Sequence, residues 1–406
     1  MVENTAKLNN SFFSPKFLFR VLVVVFWTQN TVLNFVIEVI ERMPIIGHFA
    51  SFILPVFTGF LIVASSSYIF KRIYRQDILL YVAVILVILC TLHLYPDSSE
   101  YIFPEFGRII KAVALFYLGA AYDHNESKRD LFFCSLLGVG ISFLYQMYVL
   151  STGRVLADDN MNTAYNVLPS VMYLIYWAFC SKKMLHWIVA IGGVLLVFVF
   201  GTRGPIIAIF AYLGICAVYY ILKIENVLIK VFLILLSVAL IVYISSQNRI
   251  IVWASMMAEW FGELGFSTRI FDFVIEEELG YASGRDVLTE KVWLAIKRNP
   301  FRGYGFMGDR SIVGIYVHNI LLEMMCSFGI INGLALFLMV LLTPLVAINQ
   351  FRKDHSVAFF LIMYFCIVFI KLFFSGSYVY DQSFYLLLGL CVGAIRINKI
   401  NVNIRN

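Results

Sequence analysis

The chain has 406 residues, of which 61% are hydrophobic and only 14% charged, with 38 Phe and 23 Tyr, and its mean hydropathy is +0.86. A soluble globular domain has no use for so much apolar surface, so composition excludes that class and predicts an all-α polytopic membrane protein. The formal charge of +6 does not suggest nucleic acid, because the cations are scattered between apolar segments rather than gathered into a basic stripe.

A helix needs about 20 apolar residues to cross a hydrocarbon core of roughly 30 Å, so about 12 crossings would use about 240 residues and leave one sizeable polar segment. In chain order, hydropathy predicts spans over 17–37, 45–64, 78–95, 102–121, 131–150, 164–180, 184–200, 205–222, 227–246, 318–345, 356–376 and 380–396. The expected organisation is therefore 1–246 with nine spans and short loops, 247–317 as one large helical loop between spans nine and ten, and 318–406 with three spans and a tail. No internal repeat is visible. Alternate connections hold Lys7 and Lys16, Lys71, Arg72 and Arg75, Lys128 and Arg129, Lys182 and Lys183, Lys223, Arg352 and Lys353, then Arg396, Lys399 and Arg405. Their short opposites hold only Arg42, Arg154 and Arg203. The positive-inside rule thus puts both termini in the cytoplasm and the long loop outside.

The first apolar run is span-length and lacks a small-residue cleavage site, so no cleaved signal peptide is expected. All seven cysteines (Cys90, Cys134, Cys180, Cys216, Cys326, Cys366, Cys391) lie in or at the ends of apolar segments. Disulfides and thiolate chemistry are therefore not expected.

Cations on the outer side need a reason to be there. Arg203 sits in Gly201-Thr202-Arg203-Gly204-Pro205 at the outer start of span eight, with Pro205 as the expected first helical residue. Free N–H groups at that helix start make an anion site beside Arg203, although an arginine that snorkels to lipid headgroups would look the same. Arg108 and Lys111 share one face toward the outer half of span four, and Lys371 lies near the outer end of span eleven. Each would cost roughly 3 kcal/mol at the bilayer centre, so each is expected to face a watery cavity, an anion, or a neutralising Glu105 or lipid phosphate.

The long loop carries two helical patterns. Residues 249–264 place Ile250, Trp253, Met257, Trp260, Phe261 and Leu264 on one face, suited to lying along a membrane or covering a cavity. The second pattern runs from about Gly284 to Asn299, with a capping-box resemblance at Ser283 and Asp286, Lys297 and Arg298 near its end, and Pro300 as its stop. Arg285 then occupies the first turn, where a cation opposes the helix dipole. That placement points to an anion shared with nearby N–H groups, or else to an ion pair with Asp286 or Glu290. The following Asn299-Pro300-Phe301-Arg302-Gly303-Tyr304-Gly305-Phe306 holds glycines that permit a tight turn or close backbone approach. His318-Asn319 opens span ten at the outer surface, unlike His48, His93, His124, His186 and His355. A neutral imidazole there can take a proton from a hydroxyl; an isolated interfacial His is more often a helix cap or a headgroup contact, but its place after a loop carrying Arg285 favours the base role.

Together, Gly201 to Pro205, Gly284-Arg285-Asp286, Asn299 to Gly305, Val317-His318-Asn319 and Gly329-Ile330-Ile331-Asn332-Gly333 resemble the O-antigen ligase and polymerase superfamily. The motif resemblance covers about residues 150–345, and the spans with a late, large outer loop extend it to the whole chain. It implies a glycosyltransferase of the bacterial inner membrane with its active site facing the periplasm. By position, Arg203 and Arg285 would bind the pyrophosphate of an undecaprenyl-linked oligosaccharide, and His318 would activate the acceptor hydroxyl. Arg154, Asn160 and Asn162 resemble the polar outer loop before span six. Asn319, Arg302, Tyr304, Arg108, Lys111 and Lys371 are further substrate-binding candidates, as is Asp381 for orienting a sugar.

The implied reaction is an inverting displacement at the donor's anomeric carbon, with guanidinium groups in place of a divalent ion. No metal site and no cofactor are expected: the chain has no H-E-x-x-H, no paired-Cys motif and no Asp-x-Asp in the first outer loop. The expected partners are the lipid-linked oligosaccharide, membrane lipid and a chain-length regulator protein, with no nucleic acid. Polymerase is preferred over ligase from the Phe-, Ile- and Asn-rich composition and the Gly-Tyr-Gly-Phe stretch. A flippase is the rival from another class, but transporters are often built from repeats and broken helices around a midplane site, and neither is visible here.

Overall fold

In a computed structural model the described residues are 14–41, 50–151, 160–222, 224–233, 247–264, 266, 268–275, 285–351 and 354–405, and among them every regular element is helical. The helices are α1 Pro15–Thr28, α2 Asn34–Glu41, α3 Ala50–Arg72, α4 Arg75–Leu94, α5 Ser99–Ala121, α6 His124–Ser151, α7 Asn160–Ser181, α8 Met184–Val199 and α9 Arg203–Leu222. Then come α10 Gln247–Glu263, α11 Arg269–Ile275, α12 Arg285–Arg298, α13 Gly308–Val313, α14 Ile320–Phe328, α15 Ile330–Gln350, α16 His355–Phe374 and α17 Gln382–Arg405. A π-helical turn, Gln29–Leu33, joins α1 to α2.

Among the described residues seven stretches are long and apolar enough to cross a membrane: Pro15–Leu33, Phe52–Arg72, Arg75–Leu94, His124–Tyr148, Arg203–Ile221, Ile330–Gln350 and His355–Phe374. Two shorter apolar helices, Met184–Val199 and Gln382–Arg396, cover the seventh and twelfth expected spans. The fourth and sixth expected spans are helical in α5 and α7, and most of the ninth lies outside the described residues. The protein is thus integral to a membrane. One expected span differs in form: 318–345 is not continuous, because Gly329 at φ 80° separates α14 from α15. All seven cysteines are free.

The chain forms two compact units, Met1–Leu137 with Gly284–Asn406, and Gly138–Ser283. In the first unit α16 is buried along most of its length, from Val357 to Leu372, and α17 packs closely along α5. A side chain at Gly119 would bring its Cβ within 2.5 Å of the Leu386 carbonyl, so the approach of these two helices requires a glycine there. Helix starts are set by local chemistry: the Asp354 carboxylate accepts from Ser356 and Val357 N–H at 3.1 and 3.4 Å to open α16.

In the second unit α7 packs on α8 and α10 on α11. The apolar face expected on α10 is divided. Ala254 and Phe261 enter a small core with Phe271, joined by Met257 and Phe266, whereas Trp253 and Trp260 remain more than half exposed. The reason is that α11 folds back on α10 and covers one side of it, a contact that periodicity within α10 does not reveal.

Candidate active site

The site grows from α12. Val292, Ala295 and Ile296 form its buried side, and Val292 and Ile296 pack with Val317, Met325 and Cys326. Asn299 and Pro300 end the helix as the sequence suggested, and the loop that follows is threaded against the end of α14. Tyr304 N–H donates to the Cys326 carbonyl and Gly305 N–H to the Ser327 carbonyl, both at 2.9 Å, while Ile330 N–H donates to the Pro300 carbonyl at 2.6 Å. Gly303 lies at φ 69°, and a Cβ there would stand 2.5 Å from the Gly329 nitrogen. The Gly-x-Gly stretch and Gly329 are thus the two sides of one close backbone crossing.

Past that crossing, α13 delivers Asp309 and Arg310, and Tyr316, Val317 and His318 lead into α14. His318 adopts a left-handed backbone at φ 58°. Its ring lies over Tyr316 with centroids 4.2 Å apart. Its Nδ1 is buried and has no hydrogen-bond partner among the described residues. Burial first, then the charges of Arg285 and Arg310, pull its pKa down to about 4, so the imidazole is neutral near pH 7. Arg285, the first residue of α12, donates to the Phe374 carbonyl, and the Tyr316 hydroxyl donates to the next carbonyl, Ser375, at 3.1 Å. The loop between α16 and α17 therefore receives both Arg285 and the aromatic neighbour of His318. Among the described residues no ion pair joins Arg285 to Asp286 or Glu290, so that alternative to an anion is not realised.

Beneath His318 lies an ionic network that the sequence reading did not identify. Arg310 Nη1 donates to Asp309 Oδ1 and to Glu323 Oε1, each at 2.6 Å, and its Nη2 donates to Ser377 Oγ at 2.6 Å. The Ser377 hydroxyl also donates to Glu323 Oε1. Asp309 Oδ2 accepts from Val317 N–H at 3.0 Å, one residue before His318. Asp309 and Glu323 are fully buried and Arg310 is 4% exposed. Burial pushes the Glu323 carboxyl up, Arg310 pulls it back and Asp309 raises it again. One signal was available: Glu323 is the single charged residue within 318–345, and a lone acid in an apolar stretch is a functional candidate by itself.

The other candidates take varied places. Lys371 pairs with Asp381 at 2.7 Å, and Asp381 also accepts from Phe384 N–H at the start of α17. Lys371 acts electrostatically on Tyr316 together with Arg285 and Arg310, which puts it in the same neighbourhood. Asn319 uses its side-chain oxygen to cap α14, accepting from Leu321 and Leu322 N–H at 3.1 and 3.2 Å. The Tyr304 hydroxyl donates to the Ala295 carbonyl at 3.0 Å, and exposed Arg302 lies over the Tyr95 ring. Arg108 is exposed and pairs with Glu105 at 3.1 Å, with Lys111 exposed nearby on α5.

In the second unit Arg203 is the first residue of α9, half-buried. The helix begins two residues earlier than expected, which leaves Pro205 within the first turn, where a missing N–H costs nothing. Asn160 opens α7 and Asn162 is exposed, whereas Arg154 lies outside the described residues.

The protein-family model described as O-Antigen ligase matches residues 187–338. That stretch contains Arg203, Arg285, Arg310, His318 and Glu323. No curated protein and no solved structure matches the chain. The motif resemblance and the family match fall on the same segment of this membrane protein, and the match is consistent with the O-antigen ligase and polymerase superfamily.

Proposed function

We propose that the chain is an O-antigen polymerase of the bacterial inner membrane that works at the periplasmic face, with both termini in the cytoplasm. It transfers a glycan from undecaprenyl pyrophosphate to the terminal sugar hydroxyl of another lipid-linked repeat unit. The observation that carries this reading is the meeting of a neutral His318 with Arg285, a cation whose charge no carboxylate cancels among the described residues. Such a pairing suits a reaction in which a hydroxyl must lose its proton while a diphosphate leaves.

His318 Nδ1 is the buried nitrogen, so Nε2 is the one that takes the acceptor's proton. The acceptor oxygen then bonds to the anomeric carbon as the bond from that carbon to the pyrophosphate oxygen breaks, and the departing lipid pyrophosphate carries the electron pair. Arg285 balances its charge by paired N–H donation, which a guanidinium provides without a metal, and a like role is proposed for Arg203. The role of Arg203 rests on its place in the motif. Binding of the anionic donor offsets the positive field at His318, and that raises the basicity of the imidazole when the base is needed.

Purified protein with lipid-linked repeat units in detergent tests the reading. Elongated glycans are expected, and His318→Ala or Arg285→Ala should lower the rate by about 10² to 10⁴. Undiminished elongation by both variants sinks the assignment, and elongation by the wild type excludes a transporter because no membrane is present to cross. The matched family's own description keeps ligase as the second reading. Loss of the protein from its host separates them: a missing polymerase leaves core plus one repeat unit, whereas a missing ligase removes every core-attached band.

A further inference from the structure

Two carboxylates and one guanidinium are enclosed together next to His318, and the Arg310 head donates to Asp309, Glu323 and Ser377 within the protein. A charged side chain this deeply buried and held by three partners is not available to a substrate. It is also an expensive arrangement, because desolvating three ionisable groups costs several kcal/mol per ion before any pairing is counted. Apolar packing of similar volume would hold these helices together at less cost, so the network's geometry calls for a purpose beyond cohesion.

The outward connections of the network lead to the segment that bears His318 and to the loop between α16 and α17. Asp309 fixes the Val317 N–H at 3.0 Å. The Arg310 guanidinium faces the rings of Tyr316 and Tyr380 at 5.7 and 5.8 Å, and Tyr316 in turn lies against the imidazole. Glu323 stands on α14, directly after His318, and accepts from Tyr378 N–H at 3.3 Å. Ser377 belongs to the same loop whose Phe374 and Ser375 carbonyls receive Arg285 and Tyr316. His318 meanwhile has no hydrogen-bond partner at Nδ1 and sits in a left-handed backbone that only its surroundings can impose. Among the described residues, the contact that orients the imidazole ring is the one with Tyr316.

We propose that Asp309, Arg310, Glu323 and Ser377 form the positioning unit of His318, holding the Tyr316–His318 segment and the loop between α16 and α17 in register so that the imidazole faces the acceptor hydroxyl. These are positioning residues, and they act through Tyr316 and the Val317 backbone rather than on the glycan. The proposal rests on His318 being the base. It adds that the orienting role an aspartate often fills by direct contact with a catalytic histidine is met here by a buried ionic network one step removed.

The test uses the purified full-length protein with lipid-linked repeat units in detergent, comparing wild type, Glu323→Gln, Ser377→Ala, His318→Ala and the Glu323→Gln/His318→Ala double variant. Misplacement of a reacting group by about 1 Å costs up to about 100-fold, so Glu323→Gln should lower kcat by about 10- to 100-fold with donor KM within about twofold of wild type. Ser377→Ala should act in the same direction but less. In the His318→Ala background the glutamine should cost nothing more, because there is no imidazole left to misplace. A purely structural role predicts instead a loss that tracks the folded fraction and multiplies with the loss from His318→Ala, and either result overturns the proposal. So does a wild-type kcat in Glu323→Gln. Should that variant not fold, Ser377→Ala decides by the same split between kcat and KM. Full activity in His318→Ala would instead remove the proposed function on which this depends.

Discussion

Two ionic assemblies in the first compact unit, one partly and one fully enclosed, are built on different arithmetic. At one, Arg396 of α17 grips Asp77 of α4 with two bonds of 2.6 and 2.5 Å, one guanidinium on one carboxylate, over the face of Tyr74. Asp77 also accepts from Tyr74 N–H at 2.9 Å, so it caps α4 while it binds Arg396. At the other, Arg310 faces both Asp309 and Glu323. The first pair cancels and joins residues 319 positions apart. The second leaves one carboxylate in excess of its cation, beside a histidine in a field of further cations. A balanced pair needs only to fasten two helices, whereas an unbalanced cluster stays ionised only while neighbouring charge supports it, and is therefore tied electrically to whatever happens next to it.

The sharpest way to break that contrast is to remove each arginine in turn. Arg310→Met leaves two buried carboxylates without their cation, so a loss of about 3–5 kcal/mol is expected, read as a large drop in the detergent-solubilised melting temperature or a failure to accumulate folded protein. A melting temperature like that of wild type would mean that the network is not the anchor described here. Arg396→Met should cost less, about 1–3 kcal/mol, because Asp77 keeps its Tyr74 N–H and the guanidinium site is 20% exposed. Activity per folded molecule should be unchanged in that variant. A fall in kcat to match the one expected for Glu323→Gln would erase the distinction between fastening and positioning.

The smallest expected effect concerns pH. The His318 imidazole takes its proton near pH 4 in the folded protein, against 6.5 ordinarily. Between those values the unfolded chain binds more protons, so stability is lost as the pH falls from 6.5 toward 4, and His318 contributes no such loss above 6.5. His318→Gln, which cannot titrate, should therefore lose less stability than wild type over that interval. Melting curves at pH 7, 5.5 and 4.5 check this, and parallel declines in the two proteins would contradict it. In the active protein the same physics puts the acidic limb of kcat, measured with donor bound, at a higher pH than that of kcat/KM.

The sequence legibly carried the helices, because hydropathy and punctuation are local. Arg285 and Pro300 bound α12 near where charge and proline signals placed it, and the seven long apolar helices each overlap an expected span, with Ile330–Gln350 beginning 12 residues after the expected start at 318. It was less informative about how charge is used. Among the substrate-binding candidates, exposed Arg108 is paired with its own helix neighbour Glu105, and Lys371 with Asp381. Meanwhile Arg310, which the reading passed over, is the most deeply engaged arginine described near His318. Asn319 reads equally well as ligand or cap from sequence, and the cap uses its oxygen.

What the amino-acid order carried by itself was the membrane-protein class, the approximate position of the described helices and the resemblance of the segment holding Arg285 and His318 to one family, since each depends on composition or on residues within a few turns of one another. Only the tertiary structure decided that Gly329 breaks the tenth expected span, that α11 takes one face of α10, and that Arg310 meets Ser377 from 67 positions away. Those outcomes turn on which surfaces meet when helices pack. Burial fixes the cost of a charge and proximity fixes its partner, and neither quantity is written in any short stretch of chain.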